Sequence, residues 1–416
     1  MSAPGGFGAL SDLKIIDLTQ MLAGPYGTMM LADHGAQVIK VESAEGDLSR
    51  VAGTPGGAGP RRKLIGYFQS ISRNKDSVVL DLKTEAGRRA FLALVRDADA
   101  VVENFRAGVM DRLGLGWDVL HAANPRLVYG CLRGFGDPRT GVSPYQNWPA
   151  FDVVAQAMGG IMAITGPDGA TPTKVGPGVG DIIPGMMLAF GLLAAIHHAR
   201  RTGEGQMVDV AMIDAVLAVC ERTVWQYSST GSAPGPEGNH HPFLCPFGMF
   251  PAADGHVTLA AHTDGFFETL CEAIGAPELA RDPAFAKSAA RSENRAALIA
   301  VLSAKTRQYT KAELLQRLGG RMPFGPVMNI ADIGRDAHYA VREMIVEVDE
   351  PGHAPLKVAG VPIKMTATPG GVRRRAPFLG EQTRARLLEA GLTPDEIDLL
   401  IARREAADPN STERTK

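Results

Sequence analysis

Residues 14–42 read KIIDLTQMLAGPYGTMMLADHGAQVIKVE, in which two short β-type runs enclose a turn and a helical segment. The first run covers residues 14–18 and the second covers residues 36–42. Between them, the turn at 23–25 leads into an apolar segment with helical spacing that extends to about His34. A strand, a helix and a second strand in this order form a βαβ unit, whose two strands run parallel in one sheet.

The same alternation of strands and helices continues along the first third of the chain. A helix capped near Thr84 is predicted to run to about Arg96, and further strands are predicted at 77–81, 100–103 and 127–131. This pattern predicts an α/β fold with a Rossmann-like domain, in which helices cover a parallel sheet. The first turn lacks a GxGxxG fingerprint, which argues against dinucleotide binding and therefore against an oxidoreductase.

A polar stretch rich in Gly and Pro, residues 228–239, predicts a domain boundary. Before it, residues 207–220 are predicted to be helical. Beyond it, a second and smaller α/β domain is predicted, with a strand pair around 249–260 and helices at 264–274, 291–306 and 311–318. Near the end of the chain, Thr393 has the sequence context of a helix N-cap.

The composition favours a small-molecule enzyme of the cytoplasm. The chain has 416 residues and a net charge of −2, which gives no electrostatic reason to expect a nucleic acid or an anionic membrane as partner. The longest apolar run, residues 182–196, is shorter than the roughly 20 residues that cross a bilayer, so a buried helix is expected. The N-terminus lacks the pattern of a secretory signal, and four cysteines lie far apart, at Cys131, Cys220, Cys245 and Cys271.

A glycine-rich segment ends at Asp181, directly before the apolar run. Asp181 should therefore lie at a helix N-terminus, where one interpretation is a structural N-cap. The alternative is catalytic: Gly176, Gly178 and Gly180 let a ligand approach, and an accessible carboxylate beside backbone N–H groups can act as a covalent nucleophile. No group of Cys or His has the spacing of a metal site, so no metal is predicted.

Many short motifs in one order make the chain resemble the family III CoA-transferases, which include formyl-CoA transferase and the carnitine and bile-acid CoA-transferases. Each motif is short, but their combined order and spacing are specific, and the resemblance covers nearly the whole chain. The motifs are Ile16-Asp-Leu-Thr19, Ala23-Gly-Pro25, Gly35-Ala-Gln-Val-Ile-Lys-Val-Glu42, Gly46-Asp47, Arg73-Asn-Lys75, Leu80-Asp-Leu-Lys83, Glu103-Asn-Phe105, Phe151-Asp152 with Gln156, Gly180-Asp181 and Thr202-Gly-Glu-Gly-Gln206 with Val208-Asp209.

The resemblance implies that Asp181 is a catalytic nucleophile. Its carboxylate would attack an acyl-CoA thioester to form a mixed anhydride, and the released CoA would convert that anhydride into an aspartyl-CoA thioester. The acid that accepts CoA would then repeat these steps in reverse. One thioester replaces another, so CoA and acyl-CoA are substrates and no permanently bound cofactor, ATP or metal is implied.

The resemblance also implies which residues contact CoA. A basic side chain can pair with CoA phosphates, while apolar side chains and backbone can sandwich the adenine. Lys75 and Arg112 could instead be ordinary surface charges, and Phe105 could be a core aromatic. The implied CoA contacts are Met21, Leu22, Ala23, Asn74, Lys75, Asn104, Phe105 and Arg112.

The family's fold is a homodimer of two interlocked chains. By resemblance, residues 1–224 form the first part of the large CoA-binding domain and residues 225–325 form the small domain. Residues 326–416 return to complete the large domain. The expected partners are therefore acyl-CoA, a small carboxylic acid and a second copy of the chain.

Two alternatives share part of this evidence. An α-methylacyl-CoA racemase would have the same fold but needs a histidine where this chain has Phe151, and a phenyl ring cannot exchange a proton. A CoA-binding protein without catalytic activity is disfavoured by Gly180-Asp181. The expected donor is succinyl-CoA and the acceptor a small dicarboxylic acid such as itaconate, mesaconate, citramalate or glutarate, with His240, His241 and Arg133 as its predicted carboxylate partners.

Overall fold

A computed structural model describes residues 7–51, 66–167, 170–349 and 354–409. Its strands are β1 (Lys14–Asp17), β2 (Gln37–Glu42), β3 (Asp76–Leu80), β4 (Ala100–Glu103), β5 (Val128–Arg133), β6 (Met207–Ala211), β7 (Phe247–Ala252), β8 (Gly255–Ala260), β9 (Phe324–Pro326), β10 (Ile345–Val348), β11 (Leu356–Ala359) and β12 (Ala406–Ala407). Its α-helices are α1 (Ala23–Asp33), α2 (Gly66–Ser72), α3 (Glu85–Val95), α4 (Val109–Arg112), α5 (Trp117–Ala123), α6 (Asp152–Met158), α7 (Val179–Thr202), α8 (Met212–Val219), α9 (Glu221–Thr230), α10 (Asp264–Ala273), α11 (Ser288–Glu293), α12 (Arg295–Thr306), α13 (Lys311–Leu318), α14 (Ile330–Ile333), α15 (Ala337–Val341), α16 (Thr383–Glu389) and α17 (Pro394–Ala402).

The chain divides into two compact units. The sheet unit takes its described residues from Met1–Ile161, Val175–Trp225 and His338–Lys416, and the small unit takes its own from Met162–Lys174 and Gln226–Ala337. The domain boundary predicted after residue 325 falls inside β9, which pairs with β8. The small unit continues to Ala337.

The sheet unit contains a seven-stranded sheet in the order β12-β3-β2-β1-β4-β5-β6. Strands β1 to β6 pair in parallel, and β12 pairs antiparallel with β3. The predicted α/β fold with a large parallel sheet is confirmed. The strand order reverses next to β1, and ligands of such sheets bind in the crevice at the carboxyl ends of the strands beside this point.

The two faces of the sheet are covered by separate hydrophobic cores. Ile16 of β1 packs in a core with Phe91 of α3 and Ile397 of α17. Its neighbour Ile15 packs in the other core, with Leu188 and Leu192 of α7. Successive residues of a strand point to opposite faces, so adjacent isoleucines supply both cores.

Helices α1 and α7 approach each other closely at two glycines. A Cβ atom at Gly27 would lie 2.4 Å from the carbonyl oxygen of Gly185, and one at Gly185 would lie 2.3 Å from that of Ala23. No larger residue fits at either position without moving backbone. This close approach places the turn after β1 beside the beginning of α7.

Helix α7 is long and apolar enough to span a bilayer by length and composition. One face packs into the sheet unit through Leu188, Leu192 and Ile196, as the predicted buried helix requires. The opposite face exposes Met186 and Phe190, and Phe190 is 76% exposed.

The helix predicted at 207–220 is wrong in its first part. Residues Met207–Ala211 form β6, and only Met212–Val219 are helical. Val208 and Val210 pack on one core of the sheet unit and Met207 packs on the other, as the alternation of a strand requires, and β6 forms a parallel ladder with β5.

The small unit has a three-stranded antiparallel sheet in the order β7-β8-β9. Helices α10, α12 and α13 supply Phe267, Leu302 and Leu314 to its core. The strand pair predicted around 249–260 and the helices predicted beyond it are confirmed, except that residues 288–306 form two helices.

Candidate active site

Asp181 lies in the first turn of α7 and is half-buried. The helix begins after Gly178, so Asp181 is its third residue and not its N-cap. A Cβ atom at Gly178 would lie 3.0 Å from a side-chain carbon of Leu22. The turn after β1 therefore lies against the segment that leads into Asp181.

A second carboxylate, Asp152 of α6, holds this helix start. One oxygen of Asp152 accepts a hydrogen bond from the Gly180 N–H at 2.9 Å. The side-chain amide of Gln156 donates to both oxygens of Asp152, at 2.9 and 3.0 Å, and its own oxygen accepts from the Val175 N–H. Asp152 and Gln156 thus fix the glycine-rich segment at its two ends, at Gly180 and at Val175.

The acidity of Asp181 is strongly shifted. Burial, and after it the negative charge of Asp152, raise the pKa of Asp181 to about 7. The hydroxyl of Tyr67 in α2 is close enough to be affected in turn: burial, followed by the charges of Asp181 and Asp47, raises the pKa of Tyr67. A carboxylate with a raised pKa is a more basic nucleophile, and such shifts concentrate at functional sites.

Asp181 lines a cavity of about 250 Å³, here the Asp181 cavity. The exposed ring of Phe151 lines the same cavity. Five of the residues predicted to contact CoA also line it: Met21, Leu22, Ala23, Asn104 and Phe105.

The turn that carries Met21 is held in an unusual conformation. Met21 has a φ of 65°, which is strained for a residue with a side chain. Its N–H donates to Asp47 at 3.1 Å, and Asp47 is itself paired with the buried ammonium of Lys40. The side chain of Asn104 donates to and accepts from the backbone of Gln20, each at 2.8 Å.

A second cavity of about 260 Å³, here the strand-end cavity, lies at the carboxyl ends of β1, β2 and β3. Gln20 and Phe105 line both cavities, so they form the wall between them. Lys83 is exposed at the strand-end cavity and offers a positive charge there. Arg112 lies in α4 between Val109 and Leu113, which line this cavity, and its side chain is exposed.

Two predicted CoA contacts have buried side chains that are paired within the protein. Lys75 is 1% exposed, and its ammonium pairs with Asp17 at 2.9 Å and donates to Thr28 and to the carbonyl of Pro25. Asn74 is buried, with its side chain bonded to Asp33 and to the backbone of residues 371–374. These groups satisfy each other, and neither Lys75 nor Asn74 lines the Asp181 cavity or the strand-end cavity.

The predicted acceptor ligand Arg133 also has its side chain paired within the protein. Its side chain lines the Asp181 cavity but is only 8% exposed, and it forms ion pairs with Glu103 and Asp137. Its Nε donates to the carbonyl of Phe105 at 3.1 Å. With both acids and this carbonyl as partners, Arg133 supports the local structure.

His240 and His241 belong to the small unit, whereas Asp181 belongs to the sheet unit. Nδ1 of His241 accepts from the N–H groups of Phe243 and Leu244, so this ring closes its own turn. Burial, followed by the charge of Arg295, lowers the pKa of His240 and favours its neutral form. A neutral imidazole is a poor partner for a carboxylate.

Two basic residues at the cavities were not predicted to bind ligand. Lys83 ends the Leu80-Asp-Leu-Lys83 motif, and Arg106 follows Asn104 and Phe105 and lines the Asp181 cavity with its exposed side chain. Lys83 belongs to a motif that carried the family resemblance and Arg106 directly follows another, so this position in the motifs was the signal that could have found them.

The chain is similar over most of its length to known proteins of one family. Residues 10–383 match the sequence profile of CoA-transferase family III. The chain is 51% identical to a succinyl-CoA:mesaconate CoA-transferase of Haloarcula hispanica, over 92% of this chain and 97% of that protein. It is 38% identical to a succinyl-CoA–D-citramalate CoA-transferase of Chloroflexus aurantiacus, over 95% and 97% of the two chains. A crystal structure of a CAIB/BAIF family protein from Brucella suis superposes with a TM-score of 0.84 at 35% identity, covering 92% of this chain and 100% of that one.

Proposed function

The chain belongs to CoA-transferase family III and is a CoA-transferase, and from this premise we propose that it moves CoA from succinyl-CoA to a small dicarboxylic acid through covalent catalysis by Asp181. Mesaconate is the first acceptor to test, because two relatives at 50 and 51% identity are succinyl-CoA:mesaconate CoA-transferases. The observation that carries the proposal is a carboxylate of raised pKa in a cavity lined by the turn after β1.

The reaction would proceed through two anhydrides. The Asp181 carboxylate attacks the carbonyl of succinyl-CoA and expels the CoA thiolate, which leaves an aspartyl-succinyl anhydride. The thiolate then attacks the aspartyl carbonyl, which releases succinate and leaves an aspartyl-CoA thioester. The acceptor carboxylate attacks this thioester and expels the CoA thiolate, which gives a second anhydride. The thiolate then attacks the acceptor's carbonyl, which forms the new acyl-CoA and expels the Asp181 carboxylate. Asp181 is thereby restored as a carboxylate.

The two cavities suggest how CoA binds. The nucleotide would occupy the strand-end cavity, where Lys83 and the neighbouring Arg112 supply positive charge for its phosphates. The pantetheine arm would cross the wall formed by Gln20 and Phe105 and bring the thioester to Asp181. Met21, Leu22, Ala23 and Asn104 would line its path.

Arg106 is the proposed partner for the distal carboxylate of the acceptor. Its exposed guanidinium lines the same cavity as Asp181, and a guanidinium can bind a carboxylate through two parallel hydrogen bonds. The racemase alternative is not favoured, because Phe151, which is 62% exposed at this cavity, carries no proton that it could exchange.

We further propose a cytoplasmic homodimer with interlocked chains. Met186 and Phe190 on the exposed face of α7 support it, since large apolar side chains on one face often mark an interface. Light scattering should give about twice the 44.1 kDa of one chain. Phe190→Asp should lower that mass, and a wild-type mass of one chain would contradict the dimer.

The experiment for the reaction incubates the protein with succinyl-CoA and a panel of free carboxylic acids and follows new acyl-CoA species by mass spectrometry. Asp181→Asn should form none, and intact-protein mass spectrometry should detect the CoA adduct only on the wild type. The matched control is Asp118→Asn, which changes an exposed acid in the first turn of α5 and should keep full activity. A fully active Asp181→Asn variant would contradict the assigned nucleophile.

A further inference from the structure

Both backbone polar groups of Phe105 are held by one buried ion pair. A carboxylate oxygen of Glu103 accepts from the Phe105 N–H at 2.6 Å. The Nε of Arg133 donates to the Phe105 carbonyl at 3.1 Å. Glu103 and Arg133 are also paired with each other, so the backbone of Phe105 is fixed on its donor and its acceptor side at once.

Gln20, the second residue of the wall, is held in a similar way by the residue that follows Glu103. Asn104 lies between Glu103 and Phe105, and its side chain binds both the N–H and the carbonyl of Gln20. Consecutive residues at the end of β4 thus fix the two residues that line both cavities.

The ion pair has a high degree of burial for charged groups. Glu103 is fully buried, and its second oxygen also accepts from the hydroxyl of Tyr129 at 3.1 Å, while Arg133 pairs additionally with Asp137. A buried ion pair gives little net stability over apolar residues of similar size, whereas its directed hydrogen bonds can select one backbone conformation. The backbone conformation selected here is that of Phe105, in the wall between the two cavities.

We propose that Glu103 and Arg133 are positioning residues for CoA transfer. They fix Phe105 between the strand-end cavity and the Asp181 cavity, and this sets the register in which a thioester anchored by its nucleotide reaches Asp181. The inference rests on the proposed function, because it requires CoA to span both cavities. It also assigns Arg133 a role other than binding the acceptor carboxylate.

The test compares two donors, succinyl-CoA and the succinyl thioester of pantetheine, which lacks the nucleotide. Arg133→Lys keeps the charge but loses the Nε–H bond to Phe105. With succinyl-CoA, kcat/KM should fall about tenfold, as expected when a reacting group is misplaced. With the pantetheine thioester, kcat/KM should stay near the wild-type value, since this donor has no anchor in the strand-end cavity. The KM of the acceptor acid should not change.

The matched control is Arg73→Lys, which replaces another buried arginine, paired with Asp33. It should leave the ratio of kcat/KM with succinyl-CoA to kcat/KM with the pantetheine thioester unchanged. Glu103→Gln is a second variant for the case that Arg133→Lys fails to fold. It too should lower kcat/KM with succinyl-CoA and not with the pantetheine thioester. An equal loss with both donors, or a raised KM for the acceptor acid, would overturn the inference. A wild type that forms no new thioester from either donor would instead overturn the proposed function.

Discussion

Asp152 binds the backbone immediately before Asp181 and also acts on it through its charge. Its oxygen accepts the Gly180 N–H at 2.9 Å, and its negative charge adds to burial in raising the pKa of Asp181 to about 7. The group that fixes the helix start therefore also makes the proposed nucleophile harder to ionise.

The first prediction concerns the pH profile. Only ionised Asp181 can attack a thioester, so kcat/KM should rise as the pH increases through about 7. Asp152→Asn keeps an oxygen that can accept the Gly180 N–H but removes the like charge, so the rise should move to lower pH. At pH 6 this variant should retain a larger fraction of its own pH 8 activity than the wild type does. Identical profiles would show that the charge of Asp152 does not reach Asp181.

The second prediction concerns stability. The pKa of Asp181 is raised in the folded chain above its ordinary value of 3.8, so between about pH 4 and 7 the folded state binds more protons than the unfolded state. The free energy of unfolding of the wild type should therefore fall as the pH rises through this window. Asp181→Asn does not titrate, so it should match the wild type below pH 4 and be more stable above pH 7.

The size of this difference is limited. Each pKa unit corresponds to about 1.4 kcal/mol, reduced here by solvent screening because the side chain is only half-buried. Denaturant unfolding at a series of pH values gives the measurement. A difference between the two proteins that does not change with pH would contradict the raised pKa.

The third prediction separates two glycines of the same segment. A Cβ atom at Gly180 would lie 2.5 Å from the carbonyl oxygen of Asp152, whereas one at Gly176 would meet nothing within 4 Å. Gly180→Ala should destabilise the protein by about 1–3 kcal/mol and lower kcat, because the helix start must shift. Gly176→Ala should change neither the stability nor kcat. Thermal unfolding and steady-state kinetics of both variants test this, and equal behaviour would contradict the close packing at Gly180.

The fourth prediction contrasts two lysines. Lys83→Gln removes a charge at the strand-end cavity, so KM for acyl-CoA should rise several-fold and become less dependent on salt, with stability unchanged. Lys75→Met leaves Asp17 buried without its ion-pair partner, so it should destabilise the fold by about 3–5 kcal/mol. Urea unfolding and kinetics at two salt concentrations distinguish these outcomes. A Lys75→Met variant with a raised KM for acyl-CoA and full stability would support the predicted contact of Lys75 with CoA.

Local sequence patterns predicted most elements of the sheet unit and its helix starts. The first βαβ unit was predicted within a few residues, because its apolar runs and its turn are local features. Thr84 caps α3 and Thr393 caps α17 as predicted, because an N-cap depends only on residues in the next turn. The position of Asp181 at a helix start was readable for the same reason.

The roles of Lys75, Asn74 and Arg133 could not be read in this way. Their partners lie up to 300 residues away in sequence, as in the bonds from Asn74 to the backbone of Arg374, and only the folded chain brings them together. A lysine in a recognisable motif looks the same in sequence whether it binds a phosphate or neutralises a buried aspartate. The pairing of β6 with β5 was missed for a related reason, because five residues followed at once by a helix give a weak strand signal.

Residues 371–407 complete the edge of the sheet that residues 74–80 begin. Asn74 binds the backbone of Arg373 and Arg374, and β12 pairs with β3. The ribosome synthesises these partners about 300 residues apart, so the β3 edge stays unpaired until residues 371–407 have been made. Such an edge can pair with other chains, and distant contacts form slowly. Chaperone assistance should therefore matter most before residues 371–407 emerge, and a stop codon directly after the small unit should yield an insoluble product.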